Sequence, residues 1–388
     1  METFGVVVIG AGPGGYPAAI RAAQLGTSVA LVEREYLGGT CLNWGCIPSK
    51  AFIHTSDLYA QMRSAASLGL EAEKVSFDVA AMAERKDQLV RTLRNGVKQL
   101  LAANGVKVIE GTASFESRKR IVVNSKPGNS LIGAEKTIIA TGAASSMPGF
   151  LPQHERVMDS RAFLDLKSTP ARALVLGGGV IGCEFACMLA QLGVQVTIVE
   201  ILEDIVALLD ADVRRELRRQ MEKTLGIRIL TGQGLENITA DGQAVRGTVG
   251  GEEVEADLLL AALGRKPVTQ ELQLENAGLG TNPQGFIEVD EYARTQVASI
   301  YAIGDVTGGP QLAHAATSQG LVAAENACTR HLRKNEKCIP YCIFTSPEVG
   351  AVGLTERKPS SRAGRSRPGN STLGRWERAW RSATRRAS

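Results

Sequence analysis

Cys41 and Cys46 lie in one short segment, Gly38-Gly-Thr-Cys-Leu-Asn-Trp-Gly-Cys-Ile-Pro-Ser-Lys50. Two thiols at this spacing admit two readings. Either they are buried and pack as small apolar groups, or they open and close a disulfide during turnover. An ideal α-helix sets residues five apart at roughly 8.6 Å between Cα atoms, whereas a disulfide needs roughly 4.4–6.8 Å. A regular helix through both cysteines therefore forbids the bond. Gly45 between them and Pro48 after them let the backbone depart from a regular helix, and Pro48 biases Ile47 away from the α region.

The rest of the chain weighs these readings. Its 388 residues exceed one core, so two or three domains are expected. With 44% hydrophobic and 22% charged residues the composition is that of a globular protein, and no apolar run is long enough to span a bilayer. The N-terminus carries no basic, apolar leader; Val6-Val-Val-Ile9 runs directly into a glycine-rich turn and reads as a strand. Seven cysteines, an odd number, without a leader argue against a secreted disulfide framework and for a cytoplasmic protein. There a disulfide is more often catalytic than structural. Charge is uneven: residues 361–388 hold eight Arg against one Glu, net +7 in a chain of net +4, which leaves residues 1–360 at −3. Any argument for nucleic-acid binding from charge would rest on that tail alone.

Two segments have the chemistry of dinucleotide binding. Val6–Ile9 lead into Gly10-Ala-Gly12-Pro-Gly14-Gly15, then a helical stretch 16–25, then a strand 28–32 ending in Glu33. In such a unit the first glycine makes a tight turn, the second lets a pyrophosphate approach, and the third lets the helix pack on the strand. The helix N-terminus faces the phosphates, and the acid accepts a hydrogen bond from a ribose hydroxyl. The pattern recurs: Ala173–Leu176, Gly177-Gly178-Gly179-Val180-Ile181-Gly182, a helix, a strand 194–199, and Glu200. Each acid falls 23 residues after its first glycine. Glu200 would repel a 2′-phosphate, which favours NAD; its alternative role is that of a solvated strand end. Further strand-like runs end at Thr141-Gly142-Ala143, at Gly264-Arg265 and at Gly304-Asp305, where Asp305 is either a turn residue or a polyol ligand.

Taken together, these segments resemble the flavoprotein disulfide reductases (class I pyridine nucleotide-disulfide oxidoreductases), and within them the dihydrolipoyl dehydrogenases. The carrying residues are Gly10-x-Gly12-x-x-Gly15 with Glu33, Cys41 to Lys50, Thr141-Gly142, Gly177-x-Gly179-x-x-Gly182-x-Glu184, Gly264-Arg265-Lys-Pro267, Gly304-Asp305 and Leu312-Ala-His314-Ala. The resemblance implies an α/β fold of two Rossmann-like three-layer domains binding FAD and NAD, the NAD domain inserted in the FAD domain. It implies that Gly10, Gly12, Gly14, Gly15, Glu33, Lys50, Gly111, Thr112, Thr141, Gly142, Ala143, Asp305 and Ala313 hold FAD. Gly177 to Gly182, Glu200, Leu235 and Gly264 would hold NAD. Cys41 would exchange with a dithiol such as dihydrolipoamide on a lipoyl domain of a 2-oxoacid dehydrogenase complex. Cys46 would face the flavin, with Lys50 paired to Glu184 beside it. No metal is implied. Ser49 and Glu200 fit the lipoyl branch, whereas glutathione reductases tend to carry Lys at position 49 and basic residues for NADPH. Mercuric reductases usually add a metal-binding domain or a C-terminal cysteine pair. Cys338 and Cys342 read as strand or core cysteines, and Cys183 and Cys187, at helical spacing, as packing residues.

The expected division is an FAD part over 1–149, an NAD domain over 150–270, a return over 271–345, and an interface stub with tail over 346–388. The family pattern ends near Gly353-Leu-Thr-Glu356. The resemblance calls for a further domain that makes a homodimer and supplies a His–Glu pair to the partner's site. None of the four histidines, His54, His154, His314 and His331, fits that pair. The segment after Glu356 has a composition that buries no core and looks like the product of a shifted reading frame, the rival being a basic arm for nucleic acid or membrane. The chain is therefore expected to bind both cofactors and to oxidise dihydrolipoamide poorly, with activity toward artificial acceptors retained. The non-enzyme alternative is a remnant that binds no flavin.

Overall fold

The computed structural model describes residues 1–126 and 128–355. The expectations for the stretch 356–388, a shifted frame or a basic arm, lie outside the described residues. The chain opens with β1 (Glu2–Ile9), α1 (Gly15–Gln24), β2 (Val29–Glu33), α2 (Gly39–Trp44), α3 (Cys46–Arg63) and α4 (Val79–Ala103). Next come β3 (Lys107–Glu110), β4 (Thr112–Ser117), β5 (Arg120–Ser125), β6 (Gly128–Ile139) and β7 (Ala143–Ser145). The apolar runs of β1 and β2 are those of strands buried on both faces, and their Val-rich sequences pair in parallel, Val6 beside Val29 through Ile9 beside Val32. The first sheet has the order β3-β2-β1-β6-β5-β4. β5 pairs antiparallel with the first half of β6.

The chain then enters a second sheet. Its elements are β8 (Val157–Asp159), α5 (Ser160–Phe163), β9 (Arg172–Leu176), α6 (Val180–Gln191), β10 (Gln195–Glu200), α7 (Ala211–Lys223) and β11 (Arg228–Thr231). A three-stranded antiparallel sheet follows, β12 (Glu236–Ala240), β13 (Val245–Val249) and β14 (Glu252–Ala256), and β15 (Leu258–Ala261) returns to the parallel sheet, whose order is β11-β10-β9-β15-β8. After β16 (Arg265–Pro267), which pairs with β7, the chain goes back to the first sheet: β17 (Ile300–Ala302) lies parallel to β6, Ile300 beside Thr137. Helix α8 (Ala313–Cys328) and a hairpin of β18 (Tyr341–Ile343) and β19 (Val349–Ala351) complete the described chain.

The two large sheets, the first mixed and the second parallel, are joined through packed helices. One core cluster holds Phe52 and Ile53 of α3, Met82 and Ala83 of α4, Phe185, Ala186 and Leu189 of α6, and Ile343 and Val349 of the terminal hairpin. Burying such side chains removes apolar area worth about 25 cal/mol per Å2. Helices α3 and α6 thereby bring the cysteine segment and the second glycine loop side by side.

Candidate active site

Helix α2 ends at Trp44 and α3 begins at Cys46, so the cysteines sit on two helices separated by one residue. Gly45 is the joint, with φ −137° and ψ −116°. A Cβ there would stand 2.8 Å from the Thr40 carbonyl oxygen, so the joint requires glycine. The break is the departure from a regular helix that the spacing demanded. Ile47, in contrast, is helical: Pro48 falls in the first turn of α3, where its missing N–H is one of the unpaired donors of any helix start. The expected exclusion of Ile47 from the α region is thus overridden.

Both thiols are reduced, Cys41 half-buried and Cys46 opening onto a cavity although protein packs around its other sides. The two thiols are neighbours, and the interaction between them dominates their acidity. It pushes the Cys41 thiol well up, and it lowers Cys46 to about 7, with the Lys50 charge adding to the effect. The pair therefore carries its first negative charge on Cys46. Lys50 Nζ donates to Glu184 Oε2 at 2.7 Å, and Glu184 Oε1 accepts from the backbone N–H of Phe344 at 2.9 Å. Lys50 Nζ also lies 4.7 Å from the centre of the Phe344 ring. Glu184 is buried, and Lys50 and the Phe344 N–H satisfy its two oxygens, as a buried polar group requires.

The two glycine loops repeat one geometry. Glu33 accepts from Ala11 N at 2.7 Å and from Glu35 N at 2.9 Å; Glu200 accepts from Gly178 N at 2.6 Å and from Leu202 N at 2.8 Å, at the same sequence offsets. Gly10 (φ +100°) and Gly177 (φ +108°) occupy backbone that favours glycine, and a Cβ on either would meet a carbonyl oxygen, of Ala140 at 2.4 Å or of Ala262 at 2.5 Å. A Cβ on Gly15 or Gly182 would collide with the carbonyl of Gly10 or Gly177, at 1.8 and 2.0 Å. Gly12 and Gly179 differ: no protein atom lies within 4 Å of their missing Cβ. Their smallness serves something other than the protein's own packing.

A cavity of about 970 Å3 runs from the first loop to the cysteines. It is lined by Gly10, Gly12, Gly14, Glu33, Cys41, Cys46, Lys50, Gly111, Thr112, Thr141, Gly142, Ala143, Val180, Ile181, Glu184, Asp305 and Ala313 among the expected site residues. Thr141 Oγ1 donates to the Val268 carbonyl at 2.7 Å, Gly111 has φ +155° against β5, and Ala313 starts α8. Burial raises the Asp305 carboxyl, opposed by Arg265, whose Nε is 3.4 Å away. Gly15, Gly177, Gly178, Gly179, Gly182, Glu200, Leu235 and Gly264 stand outside the cavity lining. The Gly177–Gly182 group forms the second loop. Gly264 accepts from Ser146 N at 2.9 Å, and Leu235 is buried in the core between the second sheet and the three-stranded one.

The other cysteines divide. Cys183 and Cys187 are buried in α6, where burial raises Cys183 well above the ordinary thiol value and Cys187 to about 12, as inert packing groups require. Cys338 and Cys342 are both exposed, which corrects the core reading: β18 turns only Ile343 inward. His314 lines the cavity, its Nε2 2.5 Å from the Pro340 carbonyl oxygen.

The family model described as pyridine nucleotide-disulphide oxidoreductase matches residues 4–320. The chain belongs to this family. The oxidoreductase is 39% identical over 361 residues to the dihydrolipoyl dehydrogenase of Bacillus subtilis, covering 92% of this chain and 78% of that one. It is 42% identical to the dihydrolipoyl dehydrogenase of Haloferax volcanii, covering 90% and 76%. Among solved structures it resembles LpdA of Mycobacterium tuberculosis, with TM-score 0.85, 29% identity, and 91% and 78% of the two chains covered. The HOCl-induced flavoprotein disulfide reductase RclA of Escherichia coli matches with TM-score 0.83, 32% identity, and coverage of 92% and 79%. The fold is that of FAD-dependent disulfide oxidoreductases, and the relatives are longer than this oxidoreductase.

Three contacts escaped the sequence reading. The Phe344 N–H on Glu184 joins groups 160 residues apart. Arg265 donates to the Ala143 carbonyl while facing Asp305. Gln191 joins Ser56 and Asp57 between α6 and α3. Only the Gly-Arg-x-Pro pattern at Arg265 carried any signal, and it marked the position without the partner.

Proposed function

We propose that this chain oxidises dihydrolipoamide carried on a lipoyl domain of a 2-oxoacid dehydrogenase complex and passes the electron pair to NAD+. One observation carries the reading: the cysteine pair, Lys50–Glu184, the first glycine loop, and Val180 and Ile181 at the start of α6 line a single cavity. Its residues fit FAD. Gly12 leaves room for a close phosphate, α1 points its N-terminus there, Glu33 is available to a ribose hydroxyl, and half-buried Asp305 suits a polyol. The second loop, with Glu200 in place of a phosphate-binding cation, suits NAD. FAD, when bound, supplies the two-electron acceptor between a dithiol and a pyridine nucleotide.

The protein's own groups prepare the dithiol step. In the oxidised pair, a substrate thiolate attacks Cys41 Sγ, the Cys41–Cys46 bond breaks, and Cys46 leaves as the thiolate that Lys50 stabilises. The second substrate thiolate attacks the substrate sulfur of the mixed disulfide. The Cys41–substrate bond breaks, the substrate departs as a cyclic disulfide, and Cys41 leaves as a thiolate that takes up the proton released by the second substrate thiol. Glu184 keeps Lys50 in place, and Phe344 N–H keeps Glu184 in place.

Residues 1–149 and 271–345 are assigned to the FAD unit, 150–270 to the NAD unit, and the remainder to the start of an interface region for a homodimer. The reducing cytoplasm is the setting in which such a disulfide is transient. The test is purified protein assayed for visible flavin absorbance, dihydrolipoamide-dependent NADH formation, and NADH-dependent reduction of an artificial acceptor. Flavin, artificial-acceptor reduction and NAD+-linked oxidation, slow or fast, that Cys41→Ser abolishes are the expected result. Preference for NADP+ with glutathione disulfide or mercuric ion would move the chain to another branch, and absence of flavin would refute the enzyme reading.

A further inference from the structure

The helix that carries Cys41 is gripped at its C-terminal end. Asn43 Nδ2 donates to the carbonyls of Leu37 at 3.0 Å and Gly39 at 2.8 Å, and its Oδ1 accepts from Arg94 Nε at 2.8 Å. The Arg94 guanidinium lies 3.9 Å from the centre of the Tyr36 ring. Tyr36 meets Trp44 edge-on, with ring centres 6.2 Å apart at 64°. Arg161 stacks on Trp44 at 3.9 Å, and its Nη1 donates to Glu35 Oε2 at 3.2 Å. Because Glu35 adjoins Tyr36 in the chain, the contacts close a ring: Tyr36, Trp44, Arg161, Glu35. Trp44 lies between the two cysteines in sequence, and Trp44, Arg161 and Glu35 line the same cavity as both thiols. Arg161 comes from α5, which follows β8 at the edge of the second sheet.

We propose that this ring is a positioning device in which Arg161 and Trp44 set the reduction potential of the Cys41–Cys46 pair. The proposal rests on the reading of these cysteines as a redox couple. Gly45 is the only non-helical residue between α2 and α3, so the distance between the thiols depends on how firmly the end of α2 is held. A held end keeps Cys41 at bonding distance from Cys46, so ring closure loses little freedom and the disulfide resists reduction. Loosening the ring lowers the effective concentration of one thiol for the other and favours the dithiol. Arg161 acts through Trp44 and touches no reacting atom.

The test uses the purified flavin-containing protein in buffers of graded reduced to oxidised dithiothreitol. In this equilibrium the Cys41–Cys46 disulfide takes two electrons and two protons from one dithiothreitol, whose own ring disulfide forms. Acid quenching, alkylation and intact mass give the dithiol fraction. Trp44→Ala and Arg161→Ala are each expected to shift the equilibrium constant about threefold to fivefold toward the dithiol, the scale of one exposed cation–π contact. A fivefold shift corresponds to about 20 mV for a two-electron couple. The double variant should shift no further than the larger of the two single ones, because each single variant already breaks the shared Trp44–Arg161 contact. Trp44→Phe should keep most of the parent value, and Arg161→Lys, which keeps charge but loses the planar stack, should behave as Arg161→Ala. These two conservative variants decide the matter even if Trp44→Ala fails to fold. An unchanged constant, or shifts that add in the double variant, would overturn the proposal. A parent protein that forms no disulfide at any buffer composition overturns it together with the redox reading. Failure of dihydrolipoamide turnover alone leaves this measurement intact, since the assay uses neither that substrate nor NAD+.

Discussion

At the scale of single residues, the reactivity of the site is concentrated on Cys46. Its thiol is lowered to about 7 from an ordinary 9 by the interaction with Cys41 and the charge of Lys50, while Glu184 opposes them. Alkylation of the reduced protein should therefore show one fast thiol whose rate rises through about pH 7, with peptide mapping assigning it to Cys46. Lys50→Met should move that midpoint up. Glu184→Gln should move it down, because the two charges act with opposite sign. The same shift makes stability pH-dependent. A group with a depressed folded value stabilises the reduced protein fully above its unfolded value of 9, and that stabilisation is lost as pH falls through 7. Urea unfolding of reduced protein at several pH values between these limits measures the trend. Cys41, Cys46, Lys50 and Glu184 were legible because their motifs are local and dense. The acceptor of the Phe344 N–H was not, because nothing in a sequence states which backbone donor will meet a buried carboxylate 160 residues away.

At the scale of elements, the twin glycine loops separate two reasons for a missing side chain. Gly15→Ala and Gly182→Ala force a Cβ to within 1.8 and 2.0 Å of a carbonyl oxygen and should cost 1–3 kcal/mol or more, roughly the scale of overpacking, read as a loss in thermal midpoint. Gly12→Ala and Gly179→Ala meet no protein atom, so these variants should fold normally. Gly12→Ala should lose flavin, measured by visible absorbance, and Gly179→Ala should weaken NADH binding, measured by titration. Equal thermal loss in all four variants would contradict the distinction. The strand–loop–helix units were readable because glycine spacing and apolar runs report local geometry. The α2–α3 break was half readable: Gly45 announced a joint, but Pro48 suggested an extended Ile47, and the packing of α3 in the shared core prevailed.

At the scale of the molecule, α3 and α6 are fastened twice, by Lys50–Glu184 and, about two turns on, by a buried set in which Gln191 Oε1 accepts from Ser56 Oγ at 2.9 Å and Gln191 Nε2 donates to Asp57. Gln191→Leu removes that bond while Ser56 Oγ keeps the Ile53 carbonyl at 2.8 Å, and should cost about 0.5–1.5 kcal/mol in denaturant unfolding. It should also loosen Lys50 against Glu184, so the Cys46 alkylation midpoint should rise with it; a stability loss with an unmoved midpoint would show that the two fastenings are independent. The insertion of one sheet within the other was expected from the family resemblance that the two glycine-bearing units help to carry, and β17 beside β6 shows it. The exposure of Cys338 and Cys342 was not, because a three-residue edge strand carries too little pattern to reveal its inward face.

The pairing of β17 with β6 has a consequence for how the protein is made. Strands β8 to β15 are contiguous in the chain, whereas the first sheet stays incomplete until residues 300–302 have been synthesised. The middle of the polypeptide can thus reach its native pairing on the ribosome before the beginning does, reversing the usual N-terminal-first order. Nascent chains arrested just past β15 should already resist protease over the second sheet while β1 to β6 remain cleavable, and chains arrested past α8 should protect both.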